Sequence, residues 1–259
     1  MSIKQMTMEN IDPSLVFNRT RRLVGGAAMD ALSRARVIIF GVGGVGSWTA
    51  EALARTGVGH ITIVDADRVS ATNINRQSEA DLSTVGEVKV EAMRRQILMV
   101  APGIDVSALE MEYTEATAGS FDFEDYDFVI DAIDPLAAKA LLLRNATAAR
   151  RPAVFSSMGA ALKLDPTKIS VAEFWKVQGC PLAAALRRKF KKSGEFPRRK
   201  FRCVYSPELL PNLGEVSGKD SAMGFNKVAV NGSLCHVTAI FGMTLAGLVV
   251  ERIVAPAYV

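Results

Sequence analysis

The stretch "FGVGGVGSW", residues 40–48, lies between an apolar run, "ARVIIF" (35–40), and a segment of helical spacing, "SWTAEALARTG" (47–57). Gly41, Gly43, Gly44 and Gly46 therefore occupy a strand-to-helix turn. Such a turn lets backbone approach a phosphate closely, and the next helix supplies free N–H groups and the positive end of its dipole. Ser47 opens that helix and is grouped with the glycines. Asp65 closes the next apolar run, "HITIVD" (60–65), 19 residues beyond Gly46, where an acid accepts hydrogen bonds from ribose hydroxyls. Glycines, strand, helix and acid in register predict a nucleotide site, but they suit NAD as well as ATP.

Outward from the loop, strand and helix alternate from residue 35 to about 158. This predicts a Rossmann-like, doubly wound, mostly parallel α/β sheet. Before the loop, "LVFNRTRRLVG" (15–25) reads as a helix closed by Gly25 and Gly26. After it come a helix over 85–103, strands at 104–110 and 126–134, a helix over 135–151 with Pro135 in its first turn, and a strand at 152–159. Beyond that the pattern changes: two strands around Asp165-Pro166, a basic helix "PLAAALRRKFKK" (181–192), a strand "FRCVYS" (201–206), a polar loop (209–227) and an apolar last helix. Residues 1–160 read as a nucleotide-binding domain and 161–259 as a smaller α+β extension packed on the same fold. The 14 uncharged residues 237–250 fall short of the roughly 20 that a bilayer span needs, so they read as a core or interface helix and no integral membrane association is expected.

A mean hydropathy of +0.18 and a hydrophobic fraction of 49% supply a sizeable core. Three scattered cysteines, Cys180, Cys203 and Cys235, form neither a disulfide framework nor a CxxC pair. That favours a reducing, cytoplasmic setting and predicts no zinc. No signal-peptide pattern opens the chain. Cys235 reads as core, Cys180 and Cys203 as candidates for exposure, and His60 and His236 as structural.

The residues beyond Asp65 depart from the pattern of a dehydrogenase. "DADRVSATNINRQ" (65–77) places Asp67, Asn73, Asn75, Arg76 and Gln77 just past the second strand. Amides and a guanidinium there suit the oxygens of a triphosphate. Lys89 adds a point charge near the start of the next helix, and "DAID" supplies Asp131 and Asp134 at the fourth strand. Asp134, at the strand's carboxyl end, could hold Mg²⁺ against phosphates. Together "GVGGVGSW", "DADRVSATNINRQ", Lys89 and "DAID" resemble the adenylating family related to ubiquitin-activating enzymes, which includes ThiF and MoeB. The resemblance implies attack of a carboxylate on the α-phosphate of ATP, with Asp65 on the ribose, Arg76 and Lys89 on the phosphates, and Asp134 on Mg²⁺. It also implies a homodimer in which Arg19, of "FNR" (17–19), reaches the partner subunit's ATP site.

The last third, through "GAALKLDPTKISVAEFW", "CPLAAALRRKFKK", "FRCVYSPE" and "TAIFG", resembles the family's subgroup of tRNA threonylcarbamoyladenosine dehydratases. Charge supports an RNA partner independently. The net charge is +4 with a pI near 9.0, and "RRKFKKSGEFPRRKFR" (187–202) carries Arg187, Arg188, Lys189, Lys191, Lys192, Arg198, Arg199, Lys200 and Arg202 against one acid, Glu195. Such a segment can neutralise backbone phosphates, and Phe190, Phe196 and Phe201 are interleaved in it as stacking candidates or core anchors. The implied reaction is adenylation of the threonyl carboxylate of the modified nucleoside in tRNA, then ring closure by its own carbamoyl nitrogen, with no covalent cysteine required. Three other readings stay open: an adenylyltransferase for a ubiquitin-like sulfur carrier, a nicotinamide-dependent oxidoreductase, and an RNA-binding scaffold with a degenerate ATP site. A sulfur-transfer or redox partner, and a structural monovalent cation held by carbonyls of the polar loop, would leave no signature in the sequence.

Overall fold

The structure is a computed structural model that describes residues 13–214 and 231–255. Among the described residues seven strands form one sheet: β1 (Arg36–Phe40), β2 (His60–Val64), β3 (Asp105–Leu109), β4 (Phe128–Asp131), β5 (Ala153–Ser157), β6 (Ser170–Glu173) and β7 (Arg202–Tyr205). Their order is β3-β2-β1-β4-β5-β7-β6, parallel throughout except where β6 meets β7. The chain moves outward from β1 to β3 and then returns to lay β4 against β1. A crevice therefore opens above the carboxyl ends of β1 and β4, where ligands bind in open α/β sheets.

Period-two alternation in the buried strands divides the core between the two faces. Val37, Ile39, Ile61 and Ile63 pack on one side with Leu32, Leu53, Met93, Phe241 and Leu245. Ile38, Phe40 and Val129 pack on the other with Leu142, Phe174, Leu186 and Phe190. The first face is covered by α2 (Asn18–Arg34), α3 (Gly46–Thr56), α4 (Lys89–Val100) and α7 (Cys235–Val254); the second by α5 (Leu136–Ala148) and α6 (Pro181–Ser193). A short α1 (Pro13–Val16) precedes α2. Each fully buried Leu, Ile or Phe stabilises the fold by about 1.5–3 kcal/mol, so this two-sided core is the principal support of the crevice.

The α7 helix has 20 residues and a mean hydropathy of 1.8, so by length and composition it could cross a membrane. In the fold it lies along α3, where Thr49 Oγ1 donates to the Gly242 carbonyl at 3.2 Å, and half of its apolar window is buried.

The expected break at Gly25 is present: at φ 82° and ψ 170° it is non-helical and ends one helical segment before a second runs on to Arg34, the two together forming the kinked α2. Two other expectations about elements need correction. Only one strand, β6, forms near Asp165-Pro166. The stretch before it is tied to other loops instead, with Leu162 N–H donating to Gly232 O and Leu210 N–H to Leu162 O, both at 2.9 Å. The α4 helix begins at Lys89 because residues 85–88 turn back, with Val88 bridging Arg68. Most of the expected polar loop, and with it any cation site on its carbonyls, lies outside the described residues.

Candidate functional site

The glycine loop runs from the end of β1 into α3. Gly41 has φ +89°, and a Cβ there would sit 2.6 Å from the Ala132 carbonyl oxygen at the end of β4. A Cβ on Gly46 would lie 1.8 Å from Gly41 O. Neither position accepts any other residue without moving the loop. The Asp65 carboxylate fixes it from β2: Oδ2 accepts from Val42 N–H at 2.7 Å and Oδ1 from Asp67 N–H at 2.8 Å. A carboxylate has further lone pairs, so Asp65 braces the loop while still facing the crevice.

That crevice is a cavity of about 930 Å³, within the range of small-molecule sites. The predicted residues Gly41, Gly43, Gly44, Asp65, Asp67, Asn73, Arg76, Gln77, Lys89 and Asp134 all line it. Lys89 is nearly buried and pairs with the exposed Asp67 at 2.8 Å. Asn73 Oδ1 accepts from Ser70 N–H at 2.9 Å, closing the turn that presents Arg76. The Arg76 guanidinium donates to Thr72 O and Asn75 Oδ1, and its carbonyl accepts from Trp48 Nε1 at 3.0 Å. Gln77 is buried on the wall, and its Oε1 has no hydrogen-bond partner among the described residues. The result is a cleft with cations and amide groups on one side and carboxylates at its rim.

Four predicted residues do not line the cavity. Gly46 and Ser47 lie behind the loop, where Ser47 Oγ donates to Gly43 O at 2.7 Å and accepts from Ser78 N–H at 3.1 Å. Arg19 is exposed on α2, away from this cavity of its own chain. Asp131, grouped with the nucleotide ligands on sequence, is fully buried in an ion pair with Lys139 at 2.9 Å and accepts from Ser156 Oγ at 2.6 Å. Burial pushes its carboxyl up, opposed by the Lys139 charge and the Ser156 hydroxyl. Lys139 Nζ also donates to Ile133 O at 2.9 Å, so the pair supports the turn that carries Asp134. Removing one partner of a buried pair of this kind costs about 3–5 kcal/mol.

The cavity continues past the nucleotide residues along 157–163, the first residues of α6 and Leu209. Sequence reading missed this half and two charged groups. Lys163 lines it while only 5% exposed. Glu79, 2% exposed, lies close to Lys89 and Asp65, and burial pushes its carboxyl up to about 7. Lys163 lies in "GAALKLDPTKISVAEFW" (159–175), a stretch that carries the family resemblance without assigning it a role, and Glu79 lies in no such stretch.

The basic segment divides in two. Arg187 donates to the carbonyls of Phe174 and Val177, Arg199 caps the carbonyls of Thr147, Ala149 and Pro152 after α5, and Arg202 pairs with Glu251 at 3.2 Å. Arg199 and Arg202 stay exposed while making these bonds, and Arg188, Lys189, Lys191, Lys192, Arg198 and Lys200 are exposed too. Phe190 and Phe201 are core residues, whereas Phe196 is 45% exposed beside the half-exposed Trp175, with ring centroids 6.1 Å apart. The cysteines reverse the expectation: Cys180 and Cys203 are buried, Cys235 is exposed, and all three are free thiols. Burial pushes the Cys203 thiol well above its ordinary value. Among the described residues His60 contacts the Asp105 carboxylate and His236 the Leu164 carbonyl.

This arrangement has close counterparts. The chain is 37% identical to the tRNA threonylcarbamoyladenosine dehydratase of Bacillus subtilis over 90% of its own length and 92% of that protein's. It is 35% identical to the Escherichia coli enzyme of the same name, over 93% and 94%. The solved structure of that E. coli dehydratase, TcdA, in complex with ATP superposes with a TM-score of 0.81 at 33% identity, covering 95% of this chain and 96% of that one. The model of the ThiF family matches residues 17–255, and the chain belongs to that family.

Proposed function

We propose that the protein is an ATP-dependent tRNA threonylcarbamoyladenosine dehydratase. One observation carries this reading: a single cavity runs from the glycine loop and its phosphate-handling residues into a second lobe, walled by residues 157–163 and the start of α6. One lobe suits ATP and the other a nucleoside side chain, which places two reactants in contact and supplies the proximity on which a tethered ring closure depends. Arg76 and Lys89 stabilise the phosphates and Asp65 receives the ribose; Asp134, an exposed carboxylate at the rim, would hold Mg²⁺, which usually takes one or two carboxylates beside the phosphates and would offset their charge. The threonyl carboxylate attacks the α-phosphorus and expels pyrophosphate. The carbamoyl nitrogen then attacks the acyl carbon, AMP leaves, and the nucleoside has lost one water. Neither buried cysteine is needed as a nucleophile.

The exposed cations from the middle of α6 onward hold the tRNA backbone, with Trp175 and Phe196 as its stacking surface. The protein works as a homodimer in the cytoplasm, and its three free thiols fit a reducing compartment. Mass analysis of nucleosides from modified tRNA incubated with the protein and ATP tests the proposal. Loss of one water from threonylcarbamoyladenosine, stoichiometric with AMP, is expected; an unchanged nucleoside refutes it. AMP transfer to a carrier protein ending in Gly-Gly, with no change in the tRNA, would establish the sulfur-carrier reading instead.

A further inference from the structure

Lys163 is a lysine held inside a cavity wall, and the fold goes to some length to keep it there. Leu162, immediately before it, has φ 61°, the one non-glycine residue with positive φ among those described. A branched side chain is rare in that region, and such strain persists only where surrounding bonds over-determine it. They do here. Leu162 N–H donates to Gly232 O and its carbonyl accepts from Leu210 N–H, each at 2.9 Å. Next in the chain, the Glu208 carboxylate accepts from Leu164 N–H at 2.6 Å, from Asp165 N–H at 2.9 Å and from Lys168 Nζ at 2.9 Å. His236 Nε2 contacts the Leu164 carbonyl at 2.9 Å. Strand β7's exit and the start of α7 thus clamp residues 162–165 from both sides.

The clamp leaves the Lys163 ammonium short of partners. It donates to the Glu208 carbonyl, and the nearby carboxylate of Glu208 is taken by Lys168. Among the described residues it has no ion pair. An ammonium carries three donors, and a buried cation without an anion is costly. Desolvation accordingly lowers its proton affinity. Among the described residues that share this part of the wall, 157–162, Cys180, Pro181, Leu182 and Leu209, there is a thiol but no carboxylate. Arg76 and Lys89 already serve the nucleotide lobe; Lys163 is the cation of the other.

We infer that Lys163 is the binding site for the carboxylate of the substrate's threonyl group, holding that anion in the second lobe against the repulsion of the ATP phosphates. This rests on the reaction proposed above and adds the residue by which the enzyme distinguishes a carboxylate-bearing tRNA from an unmodified one. A phosphate of ATP is the other anion in reach, and ATP affinity separates the two sources.

The experiment compares binding of tRNA with and without the threonylcarbamoyl group to wild-type protein, Lys163→Met, Lys163→Gln and Lys163→Arg, alongside titration of each with ATP alone. Wild-type protein is expected to prefer the modified tRNA. Met and Gln should reduce that preference about ten- to a hundredfold, the loss of a hydrogen bond between charged groups. They should leave affinity for unmodified tRNA and for ATP unchanged, and Arg should retain part of the preference. Undiminished preference in either neutral variant that still binds ATP overturns the inference while leaving the reaction standing. Weakened ATP binding in both neutral variants, with the preference intact, assigns Lys163 to the nucleotide and overturns it too. A wild-type protein that neither prefers nor dehydrates the modified tRNA overturns the reaction and the inference together.

Discussion

Glu79 shows what a single buried carboxyl does to this site. Neither of its oxygens has a hydrogen-bond partner among the described residues, and the nearby Ser47 hydroxyl is committed to Gly43 O. Burial raises its carboxyl to about 7, only partly offset by the charge of Lys89. The folded protein therefore binds a proton between pH 4.5 and 7 that the unfolded chain releases. The stability this proton contributes is complete below the unfolded value and is lost as pH rises through about 7. Glu79→Gln removes that loss. Urea unfolding should find the variant close to wild type near pH 5 and more stable by about 3 kcal/mol at pH 8; equal stability at both pH values would refute this account. The places of Asp65 and Asp134 on the cavity wall were legible because each follows an apolar run whose end the sequence marks, and those of Arg76 and Lys89 because the polar run after Asp65 and the start of the next helix resemble the family's pattern. Glu79, Lys163 and Lys139 were not, because burial of a charge is a property of the packed neighbours and leaves no local pattern. The cysteines were misread for the same reason: Cys180 immediately precedes the basic helix α6 yet is only 3% exposed, whereas Cys235 opens an apolar helix on its outward side.

At the scale of elements, strands with nearly every residue buried, such as β1 and β4, were readable as short apolar runs between glycines and turns. The region after Ser157 was harder because its alternation is broken by long-range ties: the bonds from Gly232 and Leu210 pull residues 162–165 out of any sheet. The basic segment 187–202, on α6 and just beyond it, illustrates a subtler limit. Its charge pattern is plain, but which cations face solvent depends on the carbonyls left at the end of α5 and around Phe174. Arg187 and Arg199 bond those carbonyls, so they hold elements together, while Lys191 and Lys192 face outward. Two classes of variant separate these roles. Lys191→Ala with Lys192→Ala should weaken tRNA binding uniformly across tRNAs and lower the slope of log affinity against log salt by about two, without changing stability. Arg199→Ala leaves three carbonyls without their donor and should instead lower stability by about 1–3 kcal/mol with little change in the salt slope. Filter binding across a salt series, with urea unfolding of the same variants, distinguishes them; an unchanged slope in the double variant removes this face from the tRNA interface.

On the scale of the whole molecule, one chain builds a cavity from the ends of β1, β2, β4 and β5, and the return of the chain from β3 to β4 is what leaves it open. Arg19 is absent from its walls and exposed on α2. If Arg19 acts on ATP it must do so in a second copy of the chain, and symmetry then makes each active site a composite of two protomers. The composite can be tested without a structure of the assembly. Arg19→Ala and Asp134→Ala should each lose most ATP–pyrophosphate exchange when alone, because every site in either homodimer lacks one group. Mixed in equal amounts and allowed to exchange subunits, half the dimers become heterodimers. One of the two sites in each then combines the intact Arg19 of one protomer with the intact Asp134 of the other, so exchange should recover to about a quarter of the wild-type rate. Were Arg19 to serve the site of its own chain, each site of a heterodimer would still lack one of the two groups, and mixing would restore nothing. Recovery on mixing therefore places Arg19 across the dimer axis from Asp134. Activity that stays at the level of the separate variants, under conditions where exchange of labelled subunits is observed directly, excludes Arg19 from the partner's site.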